Sequence, residues 1–333
     1  MLEIGYKLCS EEQSPRELIA YAKRAEAIGF KFAMVSDHYH PWLDRQGQSS
    51  FVWSVLGGIA QATERIKIGT AVTCPTMRIH PAVIAQAAAT AAAMLPRRFL
   101  FGVGTGENLN EHIIGAHWPE AQVRREMLSE AVELIRRMWR GGRESFRSRY
   151  YTVESARLYT LPEEPPPILV AAGGKHSAEL AGRIGDGLIT TAPAKSLRQQ
   201  FEQAGGNGKP CFAEMTVCWA ENEQKARQTA LECWPVVSLK GELMQVLPLP
   251  AHFEQAAKMV REEDVAQMVV CGPDPAQHVE RLREYERAGF ENVFVHQIGP
   301  DQEGFFRFYE REILPRFGAR SEARDAEAQR PRV

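Results

Sequence analysis

The sequence predicts an α/β fold, a (β/α)8 (TIM) barrel with insertions before the fifth and eighth strands, on three observations. Short apolar or β-branched runs alternate with longer helical patterns along most of the 333 residues. Such alternation implies βα units and a parallel sheet. The strand-like runs number eight, which favours closure over a doubly wound open sheet, and the length suits a single barrel domain over residues 1–317.

Glu3–Lys7 reads as the first strand and Pro15–Ile28 as its helix: Ser14 can cap the N-terminus, Pro15 fits the first turn and Gly29 the C-terminal stop. Phe32–Ser36 and Phe51–Thr63 are the next strand and helix. Ile66–Val72 with Pro81–Leu95 follows, then Phe99–Val103 with the amphipathic run Glu120–Trp139. The later units are Ile168–Ala172 with Ser177–Ile184, Gly187–Thr191 with Leu197–Ala204, Phe212–Trp219 with Gln224–Cys233, and Val293–Gln297 with Gly304–Ile313. Arg143–Pro167 and Pro235–Gly272 break this rhythm. Long excursions at barrel loops tend to be lids or substrate walls. The charged, apolar-poor stretch 318–333 reads as a disordered tail.

With 44% hydrophobic and 25% charged residues the chain is of the folded class, and a net charge of −2 argues against a nucleic-acid partner. The six cysteines, Cys9, Cys74, Cys211, Cys218, Cys233 and Cys271, form no C-x-x-C pair, so zinc and redox motifs find no support and a reducing cytoplasm is expected. Ala82–Leu95, the richest small-apolar stretch, is too short for a membrane span. The opening Met-Leu-Glu-Ile-Gly-Tyr has no signal-peptide pattern. These points describe a cytoplasmic protein acting on a small molecule, with no nucleic-acid or membrane partner.

Barrel enzymes carry their chemistry at the C-terminal ends of the strands. Here those ends hold Ser10-Glu11-Glu12, Asp37-His38-Tyr39-His40-Pro41-Trp42, Thr73-Cys74-Pro75-Thr76, Gly104-Thr105-Gly106-Glu107-Asn108, Ala171-Ala172-Gly173-Gly174 and Thr190-Thr191. His38 is the natural general acid or base, because imidazole titrates near neutral pH, with Asp37 or Glu11 to orient it. The plainer alternative is a loop histidine after a turn-capping aspartate. His38-x-His40 suggests a metal pair, but later strand ends offer Gly173 and Thr191 rather than further ligands, so no metal is expected. The glycines before Glu107 let a planar ligand approach the backbone, or simply make a tight turn. Their G-x-G-x-G spacing after the fourth strand is not the dinucleotide fingerprint. Gly173-Gly174 followed by a helix suits an anion at the helix N-terminus, or close strand–helix packing. Asp186, on the approach to the sixth strand, lies on the stability face and is not expected to be catalytic.

Ser36-Asp37-His38 with Pro41-Trp42, Gly102-Val103-Gly104-Thr105-Gly106-Glu107 with Asn110, Ala171-Ala172-Gly173-Gly174 with Gly185-Asp186-Gly187, and His80-Pro81-Ala82-Val83-Ile84-Ala85-Gln86 together resemble the luciferase-like superfamily. More narrowly, they resemble its branch of glucose-6-phosphate dehydrogenases that use the deazaflavin coenzyme F420. The resemblance runs from about Ile4 to Pro315. It implies that His38 takes the substrate hydroxyl proton as hydride leaves for the deazaflavin, that Glu107 is a proton donor near its ring and that Trp42 shapes the reacting site. Asp37, Val72, Cys74, Gly106, Asn110 and Ala171, Ala172, Gly173 and Gly174 would hold the cofactor. A non-proline cis peptide is implied at Val72, and a homodimer is common in the branch.

The branch binds sugar phosphate through a threonine and a lysine after the sixth strand and a lysine and an arginine from the late excursion. Thr191 matches; the first lysine position falls on Ala194, with Lys195 one residue late, and the other two fall on Met244 and Met268. Cys74 stands where the branch would have threonine. A buried phosphate needs charge-assisted donors, which methionines cannot supply. The substrate side, with Glu11 at its base, is therefore expected to take a neutral alcohol or aldehyde rather than glucose 6-phosphate. The alternative is an FMN-dependent reductase or monooxygenase of the same superfamily. A non-catalytic flavin binder is disfavoured by the intact His38 and Glu107.

Overall fold

The computed structural model describes residues Leu2–Gly318. All eight expected strands form: β1 (Glu3–Leu8), β2 (Phe32–Val35), β3 (Lys67–Thr70), β4 (Phe99–Val103), β5 (Ile168–Ala171), β6 (Gly187–Thr190), β7 (Cys211–Cys218) and β8 (Asn292–Gln297). They pair in parallel in chain order, and β8 pairs with both β7 and β1, with Glu3 opposite Asn292, which closes the barrel. Closure pairs every strand of the ring on both sides, and β7 runs on beyond the end of β6, leaving its last residues an open edge.

The helices lie where their caps predict. Ser14 and Glu17 form a reciprocal capping box at Pro15–Ile28, and Gly29 ends that helix at a φ of +101°. Val52–Ala62, Pro81–Met94, Ala121–Met138 and Lys175–Ile184 follow within one or two residues of expectation. β3 ends earlier than expected: the Ala71–Val72 peptide is cis, and Thr73 then makes a separate bridge to Val103. The thirteen-residue helix Pro275–Arg287 was not expected, although Asp274 caps it through the Ala276 amide and Pro275 sits in its first turn. Of the tail expected over 318–333, only Gly318 lies within the described residues, where it ends a helical turn over 315–318.

Both insertions are structured. The first carries an antiparallel hairpin of Glu144–Arg147 and Thr152–Ala156. The second holds short helices, Leu243–Val246, Pro250–Ala257 and Glu262–Met268, and a two-residue strand, Val270–Cys271, added to the outside edge of β7. Among the described residues, no helix is long and apolar enough to cross a membrane.

The two-residue period of strands layers the interior. Phe32, Met34, Leu100, Leu169, Ile189, Phe212 and Phe294 form an apolar plug, with Phe32 crossing to Phe212 at 5.3 Å between ring centres. Gly5 is the space for Phe32: a Cβ there would sit 2.5 Å from the ring. Two residues further along β1, β7 and β8 the layer turns ionic, with Lys7, Glu214 and His296. The next step on β1 reaches Cys9 and the opening of the barrel. Along β1, β7 and β8 the ionic side chains therefore lie on the C-terminal side of the plug.

Candidate active site

His38 leaves the end of β2 half-buried. Its Nε2 lies 3.5 Å from Glu11 Oε1, and its Nδ1 is 3.2 Å from the His40 carbonyl. Of the two carboxylates expected to orient it, Glu11 does so. That side chain is 2% exposed and accepts hydrogen bonds from Ser36 Oγ at 2.5 Å and Ser10 Oγ at 3.3 Å. Burial works against its charge, but His38, Lys7 and the Ser36 hydroxyl outweigh it and hold the Glu11 carboxyl below the usual range. Trp42 packs its indole edge-on to His38 at 5.1 Å and to Phe253 of the second insertion at 5.2 Å. The imidazole thus has a fixed anion on one side and an apolar wall on the other.

Asp37 faces away from His38. Its Oδ2 accepts from Thr73 Oγ1 at 2.8 Å and its Oδ1 from Arg78 Nη2 at 2.9 Å. Arg78 also donates its backbone amide to Glu111 Oε2 at 2.8 Å, while its Nε stays 3.8 Å from Glu111 Oε1. Because Asp37 holds the guanidinium, burial prevails at Glu111 and pushes its carboxyl up to about 7. Glu107 starts the short helix Asn108–Glu111 and is tied to the His38 loop through Asn110. The Asn110 oxygen accepts from the Tyr39 and His40 amides at 2.8 and 3.2 Å, and its nitrogen donates to Glu107 Oε2 at 3.4 Å. One buried amide therefore sets the spacing of the two expected catalytic loops.

The turn before Glu107 needs glycine. Gly106 has a φ of +77°, and a Cβ there would meet Cys74 Sγ at 2.6 Å and Glu111 Cγ at 3.1 Å. Gly104 likewise faces Val72, whose side chain a Cβ would meet at 2.6 Å. On the far side of the opening, Gly173 and Gly174 are exposed with nothing within 4 Å of a built Cβ, and Gly174 caps the ten-residue helix Lys175–Ile184. The backbone there has room for an anionic group at a helix N-terminus.

Residues 3–292 match the family model described as luciferase-like monooxygenase. The chain belongs to the luciferase-like monooxygenase family. Within it the chain stands beside the F420-dependent glucose-6-phosphate dehydrogenases of Nakamurella multipartita and Microbacterium testaceum. It is 37% identical to each, over 96% of its own length and 97% and 98% of theirs. A solved F420-dependent secondary alcohol dehydrogenase in complex with an F420–acetone adduct superposes with a TM-score of 0.88 at 29% identity, over 94% of this chain and 98% of that one. The F420-dependent tetrahydromethanopterin reductase of Methanopyrus kandleri shares the fold, with a TM-score of 0.79 at 21% identity, over 95% and 99% of the two chains.

In this luciferase-like barrel the non-proline cis peptide is at Ala71–Val72, where the resemblance implied it. Met244 packs against the cluster containing Trp42, Leu43, Leu109 and Phe253. Met268, by contrast, is 53% exposed and outside that cluster. Thr191 and Lys195 are exposed. Asp186 accepts from the Ile168 amide at 2.9 Å and pairs with Arg136 at 2.8 Å. His40 stacks on His112 at 5.5 Å and reaches the Leu109 carbonyl, turned to a different loop from His38. Sequence reasoning missed Arg78, Glu111 and Ser36. The only signal for Ser36 was its place beside Asp37; Arg78 and Glu111 lie off any strand end and become visible only when the loops meet.

Proposed function

We propose that this protein is an F420-dependent oxidoreductase that passes hydride between coenzyme F420 and a neutral alcohol or aldehyde. The observation that carries the reading is the buried Glu11–His38 pair under an apolar roof of Trp42, Phe253 and Met244. F420 accepts or returns a hydride when bound. The room at Gly173–Gly174, the close backbone at Gly104 and Gly106, and the Val72 and Cys74 walls fit such a group. Asp37 and Asn110 support it by fixing the loops around it.

His38 takes the hydroxyl proton through Nε2 in oxidation and returns it in reduction. Glu11 keeps the ring oriented and stabilises its charged form. Glu107, held by Asn110, would supply a proton on the cofactor side. Trp42 excludes water and packs against the emerging carbonyl. Of the two positions in the second insertion where a sugar phosphate would need charge-assisted donors, Met244 adds to the apolar wall and Met268 lies exposed outside it, and Lys195 is turned to solvent. The names of the 37% identical relatives favour glucose 6-phosphate as the second reading. The protein further acts as a homodimer. Support comes from an apolar groove between Val52–Ala62 and Pro81–Met94, where Phe51 and Val83 are more than half exposed. Six free cysteines suit the cytoplasm.

The test is a kcat/KM comparison, by loss of F420 absorbance, between small secondary alcohols and glucose 6-phosphate. Alcohols turned over the more efficiently support the proposal; efficient use of glucose 6-phosphate replaces it. Titration with FMN alongside decides the cofactor, because tight FMN binding with oxygen consumption would overturn the F420 assignment.

A further inference from the structure

One layer below His38 the interior holds a group of side chains to which the hydride chemistry assigns no role, although the Cys9 thiol donates to Glu11 Oε2 at 3.3 Å. Cys9 lies just beyond the end of β1, Glu12 on the turn that follows, and His296 on β8, the strand paired with β1. One donor atom from each lies within 4.8 Å of the others. Cys9 and His296 are fully buried, and Glu12 is half-buried at the rim. Neither ring nitrogen of His296 has a hydrogen-bond partner among the described residues, although a buried imidazole without one is costly. Its Nδ1 lies 3.3 Å from Glu214 Oε1, near enough for attraction but off the angle of a hydrogen bond. Trp234 covers the ring edge-on at 4.6 Å.

We infer that Cys9, Glu12 and His296 form a binding site for a divalent ion of the zinc class. Thiolate, imidazole and carboxylate are the donors zinc prefers. A tetrahedral ion at the usual bond lengths needs donors roughly 3.5 Å apart, so donors now within 4.8 Å of one another draw together around it. Glu214 then supplies the carboxylate that backs a metal-bound histidine, and Lys7, 3.1 Å from its other oxygen, holds that carboxylate in place. The charges also balance, because one divalent cation meets one thiolate, one carboxylate and a neutral ring. Binding releases the Cys9 thiol proton to solvent, and water entering past Glu12 fills the fourth position. The ion would clasp the first strand to the last directly beneath Glu11, leaving His38 free for chemistry. No motif spacing announces this trio, because Glu12 and His296 are 284 residues apart.

The full chain, stripped with a chelator, is titrated with Co2+ alone and then Zn2+ alone. The expected result is one equivalent per chain, a thiolate-to-cobalt charge-transfer band that Zn2+ abolishes, and loss of that band in Cys9→Ala. Glu12→Gln, at a half-buried position where folding is less at risk, should weaken binding by about 10-fold or more. Absence of the band in the wild type, its survival in Cys9→Ala, or unchanged affinity in folded Glu12→Gln would overturn the site.

Discussion

At the scale of single residues, the catalytic assignment stands on His38 and Glu11. His38→Ala should lower kcat by about 10²- to 10⁴-fold, the usual contribution of a positioned acid–base group, while F420 affinity by fluorescence titration stays within about twofold. Full turnover in that variant would sink the assignment. Glu111 allows a separate test through stability. Burial holds its carboxyl at about 7, above its ordinary 4.5, so between these values the folded chain keeps a proton that the unfolded chain has lost. Stability from this group is therefore complete below about pH 4.5 and falls as pH rises through 7, by at most about 3 kcal/mol. Urea unfolding of Glu111→Gln at pH 5 and pH 8 should show a flatter dependence than the wild type. A parallel pair of curves would mean that Glu111 is ionised throughout. Residues at strand ends, such as His38, Trp42 and Glu107, were legible from sequence because the barrel dictates where such ends gather. The choice of Glu11 over Asp37 was not legible, since it depends on Arg78 and Thr73 claiming Asp37 from another loop.

At the scale of elements, glycine turns and caps carry the local signal, and it reads well. The helix Pro15–Ile28 has its predicted bounds because Ser14, Pro15 and Gly29 each act at their own position. Where tertiary structure decides, the sequence is silent. The two-residue strand Val270–Cys271 exists only because β7 offers an edge, and the insertion helices are too short to announce themselves by periodicity. The Gly106 turn links this scale to the site. Gly106→Ala adds a Cβ against Cys74 and a side chain at positive φ, and should cost about 1–3 kcal/mol in denaturant unfolding while loosening cofactor binding. Unchanged stability would show that the Cys74 side of the turn can yield.

At the scale of the whole molecule, the eight-fold alternation was enough to identify the barrel because each βα unit repeats the same instruction. How the chain assembles with a second copy is a surface property, and the apolar groove makes a definite forecast. Sedimentation should give a dimer for the wild type, and Val83→Asp, placed in the middle of that groove, should shift it toward monomer. A wild-type monomer would remove the groove from consideration. One consequence of β8 lying beside β1 concerns how the protein is made. The first strand, which carries Lys7 and leads into Cys9 and Glu11, leaves the ribosome with one of its two neighbours still unmade. It must wait for almost three hundred residues before Asn292–Gln297 arrives to cover it. During translation the nascent chain therefore displays an unprotected strand edge, and the ionic layer that Lys7 begins among the earliest residues made is completed only when His296 arrives beside Glu214.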